Sequence, residues 1–477
     1  MKIFLKHLKP FILPIEPILQ ALITAGATPY LVGGCVRDMV LEAPLKDLDI
    51  ELHGITLPKA EQVLGAFGSV IVVGKQFGVL RLTDYDIDWS LPRADSIGRK
   101  PTVLIDPNLG IVTACRRRDL TINAMAIDLR EMLEKQTITI TDPFGGLDDL
   151  QRKQLRAVDK TLFIQDPLRF FRVMQFIGRF EMQPDQALNN LCATMSLADQ
   201  STGAPLALER ITEEIKKLLC KSKQPSLGFR WLAKIGRIEQ LLPALSTLQK
   251  TPQRQDFHPE GNVFEHSMQS LDAAACFANL GLIPENDTQQ KILIMLASLC
   301  HDLGKATTTT ADLKAHGHDE AGVPLAQALM QRLTNDQSLI NAVKILVRHH
   351  LAPFSLLAQQ SSLKAYKRLA AKLAPSVTMR QLGLVALADR QGRNGHGQTP
   401  LSSSCLDLFN DFIAQCDKAA VTNKPEEAVL KGRDLLDAVP AGPKLGTLLQ
   451  KAYDIQIDEG ITDVATLRQR VLGKKKS

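Results

Sequence analysis

Tyr30-Leu31-Val32-Gly33-Gly34-Cys35-Val36-Arg37-Asp38, followed after eight residues by Asp47-Leu48-Asp49, is the stretch on which the reading of this chain turns. A β-prone triplet runs into two glycines and then into a helical segment carrying Arg37 and Asp38. Glycines at such a turn let backbone N–H groups approach phosphate oxygens closely. Asp47 and Asp49 are two residues apart, so on a strand their carboxylates share a face. Oxygen ligands on one face suit Mg²⁺ and leave room for substrate phosphates. Downstream, Asp86 and Asp88 repeat the spacing, and Asp88 supplies a third carboxylate for two-metal chemistry. A lone DxD is equally an exposed turn; behind the glycine pair and Arg37-Asp38 it reads as a nucleotidyl-transfer site.

Around this stretch, residues 28–90 read as short strands with turns: Tyr30–Val32, Leu48–Glu51, Ser69–Val73, Val79–Thr83 and Asp86–Ser90. Residues 93–115, rich in Pro, Gly and Asp, read as a long loop. From Arg118 to Ala126 the pattern is helical. There Arg117 and Arg118 can neutralise a triphosphate, while Asp119 and Asn123, spaced i,i+4, can read a ribose hydroxyl. A hairpin-like piece follows at Ile138–Thr141. From Asp166, with Pro167 at a helix start, the chain is mostly helical, and Pro243–His258 is the best linker candidate.

The composition sets limits. At 477 residues the chain should hold about two to four domains. Its 45% hydrophobic and 23% charged residues exclude wholesale disorder, and no apolar run reaches the roughly 18 residues of a membrane span. The N-terminus lacks a signal peptide's clean apolar stretch. A net charge of +6 is compatible with a polyanionic partner. Eight scattered cysteines without a CxxC pair read as reduced thiols of a cytosolic, cytoplasmic protein.

The chain resembles the class II nucleotidyltransferases, the tRNA CCA-adding enzymes and bacterial poly(A) polymerases. The resemblance rests on LVGGCVRD with DLD, RRRDLTINAMAID, DPFGGLDDL (142–150), QDPLRFFRVMQF (165–176) and LERITEEI (208–215), in family order across residues 30–220. It implies an α+β fold: a small polymerase-β-like head with a mixed sheet, then an all-helical neck and body. Asp166 and Arg169, at i and i+3, project together. Asp accepts and Arg donates, which matches the amino donor and ring-nitrogen acceptor of cytosine and adenine and rejects uracil and guanine. In the family these positions read the base, and Arg172 also contacts nucleotide. Gln165 and Gln175 depart from the family's usual Glu and Arg, which puts strict C-then-A switching in doubt more than the transfer chemistry.

A second constellation lies downstream, where seven of the ten histidines fall between residues 258 and 350. HPEGNVFEH ends on His266, LASLCHDLGK places His301-Asp302 in an apolar helix, and LADRQGR contributes Asp389. Buried His and Asp without partners are costly, and a divalent metal removes that cost. The pattern resembles the HD phosphohydrolase superfamily. That resemblance implies His266, His301, Asp302 and Asp389 as metal ligands, with His318 and His349 as accessory candidates. It also implies metal-dependent phosphatase and 2′,3′-cyclic phosphodiesterase chemistry with Mg²⁺, Mn²⁺ or Ni²⁺.

The expectation is thus a tRNA nucleotidyltransferase building or repairing the 3′-terminal CCA with CTP and ATP, using Mg²⁺ on Asp47, Asp49 and Asp88. Gly33, Gly34, Arg37, Asp38, Arg117 and Arg118 would hold the triphosphate. Four regions are expected: a head at 1–150, neck and body at 151–242, an HD domain at 243–395 and a helical tail at 396–477. A poly(A) polymerase or a CC- or A-only enzyme, and an HD phosphohydrolase acting on nucleotides or RNA ends, stay open as alternatives. No membrane partner is expected, and monomer and homodimer are both open.

Overall fold

The computed structural model describes residues 8–45, 48–73, 78–94, 104–199, 203–394 and 403–473. The chain divides into two compact units: Met1–Leu218 with Lys234–Arg237, and Leu219–Ala233 with Ile238–Ser477.

The first unit is built on a seven-stranded sheet. Its strands are β1 (Thr28–Val32), β2 (Leu48–His53), β3 (Val70–Val73), β4 (Val79–Leu82), β5 (Ile87–Ser90), β6 (Ala126–Asp128) and β7 (Ile140–Thr141). Their order is β3-β4-β5-β2-β1-β6-β7, and only the β2–β5 pair is parallel. Strict alternation sets the faces. Leu48, Ile50, Leu52, Ile87 and Trp89 are buried, whereas Asp49, Glu51, Asp88 and Ser90 point the other way and keep some exposure. Burying a large apolar side chain such as Trp89 is worth about 1.5–3 kcal/mol or more, and this burial fixes the register that lines up the acidic face.

Helix α1 (Glu16–Thr24) packs on β1, α2 (Gly34–Val40) follows the glycine turn, and α3 (Leu57–Leu64) fills the β2–β3 connection. The strand-and-turn reading of residues 28–90 misses α3, although Thr56 in extended conformation and Pro58 in the first turn mark its start. The helix expected over Arg118–Ala126 is not formed. Helix Ile111–Arg116 ends just before it, Thr121–Asn123 make one 3₁₀ turn, and the chain then enters β6. The 93–115 stretch is correspondingly not all loop: Arg93–Ala94 pairs with Leu104–Ile105 as two short strands. Helix α4 (Leu168–Phe180) begins where expected, with Asp166 Oδ1 accepting the Leu168 N–H at 3.0 Å.

The second unit is helical. Its centre is α5 (Val263–Cys276), α6 (Thr288–Cys300), α7 (His318–Leu333), α8 (Gln337–His349) and α9 (Met379–Gln391). Side-chain caps start four of them: Asn262 for α5, Asp287 for α6, Asp336 for α8, and a Thr378/Gln381 capping box for α9. The linker expected at Pro243–His258 is instead opened by a helix at Pro243–Leu248, whose Leu245 and Leu248 are fully buried. Pro243 is tolerated because it stands in the first turn. Helices α10 (Ser403–Lys418), α11 (Pro443–Glu459) and α12 (Val464–Leu472) complete the unit, the last two around a small core of Leu435, Leu445 and Leu467. No helix among the described residues is long and apolar enough to cross a membrane.

Candidate active sites

The first site lies on the polar face of the sheet. Asp49 and Asp88 are partners in the parallel β2–β5 register, on strands about 4.8 Å apart. Two carboxylates so placed suit one hard dication. Arg81, opposite Asp88 on β4, donates to Asp88 Oδ1 at 2.8 and 2.6 Å, so its positive charge already faces this position. Asp47 lies outside the described residues. Cys35 supports the strand from behind: its sulfur accepts the Asp49 N–H at 3.1 Å, and burial pushes its thiol pKa up to about 12.

The glycine turn faces these carboxylates. Gly33 has φ +77°, a left-handed conformation that favours glycine, and the Arg118 guanidinium lies across the turn, 2.5 Å from where a Cβ would stand. Arg118 also reaches Glu51 Oε2 at 3.7 Å. Gly34 opens α2, and Arg117 gives its carbonyl to Arg169 Nη2 at 2.7 Å.

Five residues expected to touch nucleotide, Arg37, Asp38, Asp119, Asn123 and Arg172, bond one another in a largely buried polar ring. Arg37, 4% exposed, donates through Nε to Asp38 at 2.8 Å and through Nη1 to Asn123. Asn123 donates to Asp119 Oδ1 at 3.0 Å, and Arg172 donates to Asp119 Oδ2 at 2.6 Å. Arg179 returns to Asp38 at 3.3 Å. Phe176 and Phe180 stack on Arg37 at 5.3 and 4.6 Å. Burial opposes ionisation of Asp119, yet Arg172 and Asn123 hold it well below the usual carboxylate range. Arg172 and Arg179 lie two turns apart on α4, so the ring clamps that helix to the glycine turn. One turn before Arg172, Arg169 donates to the carbonyls of Leu162 and Arg117 at 2.9 and 2.7 Å. Asp166 keeps a half-open carboxylate 3.5 Å from Arg210.

The second site is a set of buried histidines and carboxylates in the helical unit. His301 and Asp302 sit at the C-terminal end of α6 rather than inside it. His266 Nε2 lies 3.2 Å from His301 Nε2 and 3.0 Å from Asp389 Oδ1. Asp302 Oδ2 is 3.5 Å from His266 and 3.3 Å from His301, while its Oδ1 is 3.2 Å from His318 and 3.8 Å from His350. His349 does not enter this set. Its neighbour His350, 1% exposed, points inward beside Asp302, and its Nε2 lies 3.3 Å from that of His318.

Backbone carbonyls set the tautomers. His301, His318 and His350 each turn Nδ1 to a carbonyl, of Ser298, Ala315 and Val347, at 2.7, 2.6 and 2.7 Å. A carbonyl only accepts, so each Nδ1 carries the proton and each neutral ring presents a bare Nε2. Glu260 Oε1 accepts from both His258 and His266 at 2.8 Å, which orients His266 alike. Sequence reasoning missed Glu260 and His258, although the His-x-Glu spacing in HPEG was the available signal. Bare nitrogens facing one another beside two carboxylates call for a cation. Burial opposes protonation of His301, but Asp302 and Asp389 push its pKa up to about 10. A dication fits the same field. The ligand atoms form three overlapping groups, His258/Glu260/His266, His266/His301/Asp302 and Asp302/His318/His350, joined through His266 and Asp302. Gly304 permits the third group: a Cβ there would meet the His318 carbonyl at 2.0 Å. Lys305 Nζ, 2.6 Å from Asp302, and Arg393, 3.1 Å from Asp389, border the cluster.

The Poly A polymerase head domain family matches residues 29–156, and the HD domain family matches residues 263–390. The multifunctional CCA protein of Pasteurella multocida is 33% identical over 412 residues, covering 84% of this chain and 91% of that relative. That of Chromobacterium violaceum is 32% identical over 420 residues, covering 86% and 94%. The crystal structure of Bacillus stearothermophilus CCA-adding enzyme in complex with CTP has a TM-score of 0.61 at 19% identity, covering 96% of this chain and 97% of that one. That likeness is one of fold. With 33% identity along 91% of such a relative, this chain belongs to the family of multifunctional CCA proteins.

Proposed function

We infer that this chain is a tRNA nucleotidyltransferase that adds or repairs the 3′-terminal CCA from CTP and ATP without a nucleic-acid template. The observation that carries the reading is the Asp49–Asp88 pair in register beside the Gly33 turn, on the unit that also holds the Asp166/Arg169 helix. Relatives 33% and 32% identical are named multifunctional CCA proteins, which supports the reading. In this reading Asp49 and Asp88, with Asp47, hold Mg²⁺, which supplies charge neutralisation for phosphoryl transfer. Arg118 and the Gly33-Gly34 turn receive the triphosphate, and Asp166 with Arg169 reads the base edge. The polar ring of Arg37, Asp38, Asn123, Asp119 and Arg172 sets the distance between turn and reading helix. Residues 1–150, 151–242, 243–395 and 396–477 are the corresponding functional regions, and the enzyme works in the cytoplasm.

The paired histidine groups around Asp302 favour a second activity, a metal-dependent phosphohydrolase. His266, His301, Asp302 and Asp389 hold one divalent ion there; His318 and His350 extend the set through the other oxygen of Asp302. Extension of end-labelled tRNA transcripts ending before CCA, after C or after CC, with CTP and ATP alone and together, tests the transferase reading. Growth that stops at CCA supports it. Unlimited A addition, or growth restricted to CC or to A, contradicts it.

A further inference from the structure

The polar face of β2 runs on from Asp49 to Glu51 and His53, which alternation places in one column. Glu51 stands between Tyr30 of β1 and Ser90 of β5, so its strand neighbours bring it no opposite charge. Its carboxylate is 13% exposed and divided between two partners. Oε1 accepts from His53 Nε2 at 2.8 Å, and Oε2 faces Arg118 Nη2 at 3.7 Å. His53 is fixed in its turn. Its Nδ1 donates to the Leu109 carbonyl at 2.7 Å, and its ring meets that of Tyr30 edge-on, with centres 5.0 Å apart. The adjacent Gly54 N–H donates to the Pro107 carbonyl at 2.7 Å. Pro107 and Leu109 lie just before the helix Ile111–Arg116, which leads directly into Arg117 and Arg118. The end of β2 therefore fixes both where the Arg118 segment enters and where its guanidinium lies.

A lone carboxylate on this face would repel a triphosphate. Glu51 is committed to His53 and Arg118 instead, and its place two residues beyond Asp49, about 7 Å along the strand, keeps it out of the Asp49–Asp88 pair. An arginine held in place beforehand binds an anion without losing rotamer freedom in the binding step. We propose that Glu51 is a positioning residue of the transfer site: braced by His53, it holds the Arg118 guanidinium across the Gly33 turn before the triphosphate of CTP or ATP arrives. This rests on the reading of Arg118 as a triphosphate ligand, which the same experiment tests separately.

Dissociation constants of inorganic tripolyphosphate are measured by calorimetry on the full chain in Mg²⁺. Arg118→Ala should weaken binding at least tenfold, the scale of a lost charge-assisted hydrogen bond. Glu51→Gln keeps the shape and removes the charge; Glu51→Asp keeps the charge and withdraws it by one carbon–carbon bond. Both should weaken tripolyphosphate about fivefold, the scale of ordering one long side chain. Both should raise KM for CTP and ATP by the same factor with kcat within about twofold, because the interaction is made equally in ground and transition states. In the Arg118→Ala background Glu51→Asp should have no further effect on tripolyphosphate, since the residue it positions is gone. Unchanged binding in Arg118→Ala, or none in the wild type, removes the triphosphate reading and the proposal with it. With that reading intact, three results overturn the proposal alone. Glu51→Gln could bind tripolyphosphate as well as or better than wild type, which would make Glu51 only a counter-charge. Glu51→Asp could cause the same loss with and without Arg118, or kcat could fall while KM stays, and either would make its role a general structural one. Absence of tRNA extension by the wild type removes the transferase reading and leaves the tripolyphosphate cycle to decide the role of Glu51.

Discussion

Asp49 on β2 and Asp88 on β5 are partners in the one parallel pair of the seven-stranded sheet, so both carboxylates leave the sheet on the same side. Neither supports the core, because the alternate residues Ile50 and Trp89 are the buried ones. Asp49→Ala and Asp88→Asn should therefore each lower nucleotide addition by about two to three decades, a cost near 3–4 kcal/mol. The circular dichroism of both variants should match that of the wild type. Loss of folded signal in either would mean that the pair is structural.

The polar ring makes a different prediction. Arg37 is buried and tied to Asp38 and Asn123, and removing one partner of such a network costs about 3–5 kcal/mol. Arg37→Ala should lower the melting temperature and reduce CTP and ATP incorporation together. Arg169→Ala, in the half-buried first turn of α4, should instead raise misincorporation of UTP and GTP with a smaller thermal effect. The ratio of correct to incorrect nucleotide separates the two roles.

His350, not His349, faces Asp302. His350→Ala should abolish phosphoester hydrolysis and weaken divalent-metal binding at least tenfold, on the scale of lost metal-site partners. His349→Ala should stay within about twofold of wild type in both. Metal titration of the purified variants, followed calorimetrically, checks the binding half directly.

The sequence carried most of this. All five strands expected in residues 28–90 form, because period-two alternation between turn residues is a local signal. The carboxylate and histidine sets were legible because their chemistry demands particular residue types. What was not legible depends on phase and on three dimensions. An adjacent His349-His350 pair cannot be assigned from spacing, since one helical step of about 100° decides which ring turns inward. Residues 118–126 hold enough apolar character to read as helix, but the chain makes only a 3₁₀ turn at Thr121–Asn123 before Ala126 pairs with Val32 as β6 joins β1. That Arg37, Asp38, Asp119 and Asn123 also bond one another could not be read in one dimension, because Arg37 and Asn123 lie 86 residues apart in the chain.

Asp272 gives a pH test of the helical unit. Burial raises its pKa to about 6, despite hydrogen bonds from the Ser226 N–H and hydroxyl at 3.0 and 2.6 Å. A carboxyl raised in the folded state contributes stability that is fully present below its unfolded pKa, near 4, and lost as pH rises through 6. Asp272→Asn mimics the protonated form and escapes that loss. The stability of the variant relative to wild type should therefore grow between pH 4 and pH 7, by about 3 kcal/mol at most. Melting midpoints across this range measure it, and a gap that does not change with pH would contradict the assignment.

The most direct test of two separate active sites in this chain compares Asp49→Ala and His301→Ala with wild type in one experiment. End-labelled tRNA lacking CCA, with CTP, ATP and Mg²⁺, reports transfer; a 2′,3′-cyclic nucleotide with a divalent metal reports hydrolysis. Wild type should extend tRNA by C, C and A and stop, and should also open the cyclic ester. Asp49→Ala should lose only the extension and His301→Ala only the hydrolysis. Extension that survives Asp49→Ala, or that fails in wild type, would contradict the account.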